Sequence, residues 1–224
     1  MPYPGGSAMQ SGAAYQNWYL ALLISYAYLE PDFIIYPEAL RSKTVIIDDI
    51  NVKSRLGKTV YSAKFRSSSK RLHWDQSNLH SQGIFKEFKK QHFADPNCKM
   101  VLVSESNCYL FSEVFIRARN AELANQIYEV LQSDYAIEQW EEAKQYLGYD
   151  DFQLIEFAKK VEIRCLPLIE IQNLLKHRFV HIGHHNSVKN LFYNKACECS
   201  SHKTKIDKKA IINWFYEEMI EFNN

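Results

Sequence analysis

Hydrophobic and polar positions along the chain follow two periods. From Gly12 to Leu29 the apolar residues Tyr15, Trp18/Tyr19, Leu22/Leu23 and Tyr26 recur at helical spacing, and Pro31 ends the run. Short β-like runs follow at Phe33–Tyr36, Thr44–Val52 and Thr59–Phe65, the last two joined by a turn at Gly57. Asp75 to Gln91 reads as one helix capped by Asp75, and Met100–Ser104 as a buried strand. Helical patterns resume over 120–133 and 137–147, then from the Asp150/Asp151 cap to Lys160. Val161–Leu166 reads as a strand, followed by helices from Pro167, from His185 and from Asp207. Met1–Ser11 and Cys199–Lys205 read as a loop and a polar linker. The order predicts an α/β core with a helical appendage, divided into residues 1–133 and a helical subdomain over 134–224.

Composition narrows the class. With 46% hydrophobic and 14% aromatic residues in 224, and only seven Gly and six Pro, the chain is neither disordered nor collagen-like. Five cysteines without framework spacing point to reduced thiols and a cytoplasmic setting. No stretch approaches the length of an apolar membrane span, so no membrane partner is expected.

Charge changes the picture more. The formal total is only +1, yet Lys53–Lys99 holds eleven Lys/Arg against three acids, a balance of +8, which leaves the remainder at −7. Lys64, Arg66, Lys70 and Arg71 follow one predicted strand, and Lys86, Lys89 and Lys90 share a turn of the next helix. Such a cluster would bind DNA phosphates with little sequence preference and strong salt dependence.

The candidate chemistry sits on two adjacent predicted strands. Asp49 shares a strand face with Ile47 and Asn51, while Lys64 shares one with Ser62 and Val60. An acid buried in an apolar strand is costly unless it binds a metal or pairs with a charge. A carboxylate that holds a divalent metal and a lysine that steadies phosphate charge are the parts phosphodiester cleavage requires. The plain alternative is a turn acid and an exposed strand lysine. Asp48 takes the acid's role if the strand register shifts by one. His177, His181, His184, His185, Cys197, Cys199 and His202 form a second cluster, whose spacing matches no common zinc module.

The ordered set Gly5-Gly6, Gly12-Ala-Ala-Tyr15-Gln16, Asp48-Asp49-Ile50 and a strand ending in Lys64 resembles the amino-terminal effector nucleases of bacterial antiphage proteins. These include double-stranded-DNA endonucleases of cyclic-oligonucleotide (CBASS) systems and the nucleases of antiviral STAND NTPases. The resemblance implies a PD-(D/E)XK restriction-endonuclease-like core and cleavage of double-stranded DNA with Mg²⁺ or Mn²⁺. It implies catalytic roles for Asp49, Lys64 and Gln16, with Asp49 and Glu38 as metal ligands. It also implies activation by homo-oligomerisation and a sensor or ATPase region beyond this chain, which itself lacks a P-loop. Ser62 departs from the pattern, standing where the family carries an acid or Gln. That departure supports an alternative: a catalytically degenerate module for DNA binding or self-assembly.

Overall fold

The computed structural model describes residues 4–38, 46–47, 49–65, 73–179 and 185–218, with only the backbone described over 4–10. Helix α1 (Pro4–Leu29) begins at Pro4 rather than Gly12, because a proline's missing N–H costs nothing in a helix's first turn. Tyr15, Tyr19, Leu20, Leu22, Leu23 and Ile24 are all buried, as a helix packed on several sides requires.

Five strands follow the predicted order: β1 (Ile34–Pro37), β2 (Ile50–Ser54), β3 (Gly57–Ala63), β4 (Lys99–Ser104) and β5 (Val161–Cys165). They form one sheet in sequence order, β1–β2–β3 antiparallel and β3–β4–β5 parallel. Gly57 turns β2 into β3 with φ +106°, a conformation that favours glycine. Strand β2 is shorter than predicted and begins at Ile50, while residues 41–45 and Asp48 lie outside the described residues.

The predicted helix over 75–91 is two helices, α2 (Gln76–Ser81) and α3 (Ile84–Ala94), because Gly83 between them takes φ +75°. A π-helical turn at Leu110–Val114 runs into α4 (Phe115–Ala118), and α5 (Ile127–Leu131), α6 (Asp134–Leu147) and α7 (Asp151–Ala158) precede β5. Helix α8 (Leu168–Arg178) starts after Pro167 as expected. Helix α9 (His185–His202) extends through part of the predicted linker, because Cys199 continues its buried face of Val188, Leu191, Phe192 and Ala196. Asp207 caps α10 (Lys208–Glu217).

Strand alternation sends neighbouring residues into two cores. Val60, Met100 and Leu102 pack with α2, α3 and the helices of 110–158. Tyr61, Val101 and Val103 pack with α1 and α8–α10 on the opposite face. The result is α/β, with helices covering both faces of a mixed sheet. A division at residue 133 would cut through this sheet, since β5 completes it and both cores draw on residues from either side. The short bridge between Ile35 and Ile206 covers part of the β1 edge. No helix among the described residues is long and apolar enough to cross a membrane.

Candidate active site at the sheet end

Three strand ends and one helix supply the candidate residues. Asp49 immediately precedes β2, Lys64 immediately follows β3, Glu38 immediately follows β1, and Gln16 lies on α1. The segment entering β2 is pinned from both sides. Buried Gln91 of α3 accepts hydrogen bonds from the Ile46 and Ile47 amides, at 2.9 and 3.4 Å, and Asn51 Nδ2 donates to Ile47 O. Neither polar residue was singled out by the sequence pattern; a Gln on the otherwise apolar inner face of α3 is the signal that marks one.

Asp49 Oδ2 accepts from Ala63 N at 3.0 Å, Lys64 Nζ at 3.2 Å and Ser62 Oγ at 3.4 Å. The pair is partly sheltered, with Asp49 17% and Lys64 35% exposed. Ser62 is fully buried and aimed at the carboxylate, so it orients Asp49. The Lys64 amide is itself held by Val103 O at 2.9 Å, which fixes the lysine beside the end of β4.

Glu38 is joined to the same end of the sheet. Its amide donates to Asp49 O at 2.9 Å, and Gln16 Nε2 donates to its Oε1. Glu38 takes φ +46°, a left-handed conformation unusual for a residue with a side chain. Such strain costs about 1 kcal/mol or more and is typically retained where geometry serves a function. Gln16 and Lys64 line one cleft of about 520 Å³ together with Trp74, Asn78 and Gln82. Trp74 is anchored by a 3.0 Å bond from its Nε1 to Ser104 Oγ. Tyr15, the residue before Gln16, donates to Leu166 O; burial pushes its pKa up, keeping the phenol protonated.

Asp49 is thus joined to Lys64 through its carboxylate and to Glu38 through the backbone, and Glu38 in turn to Gln16. A hard divalent cation takes oxygen ligands, and Mg²⁺ is commonly held by one or two carboxylates plus substrate phosphates. The carboxylates of Asp49 and Glu38 and the amide oxygen of Gln16 are such donors. Two carboxylates and an amide oxygen are a donor set of the kind that fits a Mg²⁺-type ion. No group of three His, Cys, Asp or Glu side chains among the described residues forms a larger metal cluster.

The expected DNA-binding residues divide three ways. Arg66, Lys70 and Arg71 lie outside the described residues. Lys86 and Lys90 are exposed on α3. Lys89 differs from both: its Nζ donates to Leu147 O and lies 4.8 Å from the Tyr149 ring centroid, at the end of α6. In the second cluster, His181 and His184 lie outside the described residues, and Cys197 Sγ accepts from Asn17 Nδ2 at 3.3 Å.

Neither a protein-family model nor a curated protein matches this chain. Among solved structures it is similar to the Cap4 SAVED/CARF-domain containing receptor of Moraxella osloensis, with a TM-score of 0.54 at 14% identity. The likeness covers 92% of this chain and 48% of that one, so the chain spans about half the receptor's length. At this identity the likeness shows a shared fold. It corrects the resemblance drawn from the ordered motifs: the structural likeness is to a SAVED/CARF-domain receptor, not to the amino-terminal effector nucleases. Those motifs are short, and a Gly pair, an acid and a strand lysine recur in many α/β sheets.

Proposed function

We propose that this protein hydrolyses phosphodiester bonds in DNA with the help of a divalent cation, Mg²⁺ or Mn²⁺, in the service of bacterial antiphage defence. The observation that carries the reading is the Asp49–Lys64 pair, 3.2 Å apart, whose lysine lines a cleft together with Gln16. Asp49 and Glu38 would hold the cation, which supplies positive charge to the phosphate and acidifies a water. Gln16 holds Glu38 in place. Lys64 exchanges its bond to Asp49 for one to a phosphate oxygen and steadies the charge that develops there. Ser62 and the Ala63 amide keep Asp49 oriented throughout.

What supports the defence setting is the fold shared with the Cap4 receptor. Cutting both strands of duplex DNA takes two sites, so activity is expected to rise as copies assemble. One observation favours a second reading, a module that binds without cutting: Ser62 supplies a hydroxyl where a third carboxylate would strengthen the metal site. Incubation with plasmid DNA, with Mg²⁺ or with EDTA, separates the readings. Metal-dependent cleavage lost in Lys64→Ala supports hydrolysis. Its absence even in artificially clustered protein leaves the binding module.

A further inference from the structure

Trp74 lines two cavities. One is the cleft holding Gln16 and Lys64; the other, of about 400 Å³, lies on its other side and is lined by Tyr109, Tyr135, Gln76, Gln139 and Glu142. The size suits one small planar ligand group. Tyr109 and Tyr135 pack with ring centroids 4.9 Å apart, and Tyr135 stays 54% exposed at the rim, leaving aromatic surface open.

The polar lining is unevenly matched. Gln76 is 1% exposed; its Nε2 donates to Gln139 O at 2.6 Å and to Gln139 Oε1, while its own Oε1 has no hydrogen-bond partner. A buried carbonyl without a donor is costly, so an incoming N–H would relieve it. Glu142 adds a carboxylate to the lining, which repels a phosphate and accepts further donors, while the Asp75 carboxylate accepts from Ser77 and Asn78. His73 also lines the cavity, but no lysine or arginine does, and aromatic faces with acceptor-rich edges suit a flat heterocycle carrying an amino group.

Resting on the phosphodiesterase reading of the neighbouring cleft, we infer that this cavity takes an unpaired nucleobase of the same strand, with preference for an amino-bearing base such as cytosine. The backbone lies at Lys64, Trp74 separates backbone from base, and the base stacks on Tyr135 with its amine toward Gln76 Oε1. A base inside a duplex cannot reach such a cavity without leaving the stack. The substrate is thus single-stranded or locally opened DNA, a sharper class than the duplex expected from the sequence.

The test is binding without cleavage. Fluorescently labelled oligodeoxycytidylate, oligothymidylate and an abasic strand of equal length are titrated in EDTA against the whole chain, Tyr135→Ala and Tyr135→Phe. Tyr135 is at the rim, so these variants spare both cores, and melting temperatures check that they do. The expected result is about tenfold tighter binding of oligodeoxycytidylate than of the abasic strand. Oligothymidylate falls between them, because thymine lacks the amine. Tyr135→Ala brings all three together, and Tyr135→Phe restores the order. Equal binding of the three strands by the unaltered protein, or a paired duplex competing as well as oligodeoxycytidylate, overturns the inference. Base discrimination without metal-dependent cleavage overturns the hydrolytic reading and leaves the base pocket standing. Cleavage without base discrimination does the reverse.

Discussion

Replacing Lys89 with methionine removes one ammonium and leaves its apolar stem. In the folded protein that ammonium donates to Leu147 O, the last residue of α6, and lies 4.8 Å from the Tyr149 ring and 5.9 Å from that of Phe93. A hydrogen bond from a charged donor contributes about 1.5–3 kcal/mol. The cation–π contacts add about 0.5–1 kcal/mol, and partial exposure of the lysine discounts both. The expected loss is about 2 kcal/mol, which for a chain of this length lowers the melting temperature by about 4–8 °C. Thermal melts followed by far-ultraviolet circular dichroism, with urea unfolding as a second measure, read this directly. The same variant is expected to bind DNA with unchanged salt dependence, whereas Lys86→Ala and Lys90→Ala each lower the salt slope by about 1 and leave the melt unchanged. Lys89→Met melting with the parent while losing DNA affinity would refute the reasoning, because the lysine would then serve phosphate and not the helix end.

Other outcomes follow from local chemistry. Asp150 and Gln153 form a reciprocal cap on α7, so Asp150→Ala is expected to cost about 1 kcal/mol in urea unfolding. The hydrogen bond from Lys205, with the one from the Ala210 amide, holds the Asp207 carboxyl below its ordinary 3.8. Its contribution is present above that value and lost as pH falls through the lower folded pKa, so the stability gap between parent and Asp207→Asn should narrow in acid; a gap that widens would contradict the assignment. Burial raises the thiol pKa of Cys98 to about 11 and of Cys108 to about 12, while Cys165 is exposed. A thiol-specific disulfide reagent at neutral pH should therefore modify Cys165 first, reaching Cys98 and Cys108 only on unfolding.

Much of the sheet was legible because strands and turns are local. The apolar run Met100–Ser104 and the Gly57 turn each fix an element from a few neighbours, and Asp150 and Asp207 mark helix starts through their own side chains. The placement of Asp49 and Lys64 at the ends of two adjacent strands was also legible, since the Gly57 turn pairs those strands. What escaped depends on tertiary context. Gly83 breaks a helical pattern that is continuous by hydropathy, and Cys199 is helical because α9 buries it. Lys89 looks like its neighbours Lys86 and Lys90 until the end of α6 arrives beside it. The base pocket joins residues from 74–76, 109 and 135–142, so no window of sequence contains it. The family resemblance failed for a related reason: short motifs in the right order constrain strand faces, and unrelated α/β sheets share those constraints.

Under the proposed function Asp49 and Lys64 act as one unit on a phosphodiester. The most direct measurement is a cycle of the parent, Asp49→Asn, Lys64→Ala and the double variant, following single-stranded and plasmid DNA cleavage at saturating Mg²⁺ with melts as folding controls. Metal-dependent cleavage by the parent, a fall of about 10²–10⁴ in each single variant, and no comparable further fall in the double variant are predicted. Cleavage that persists in both single variants, or a well-folded parent that cuts nothing with Mg²⁺ or Mn²⁺, would contradict it.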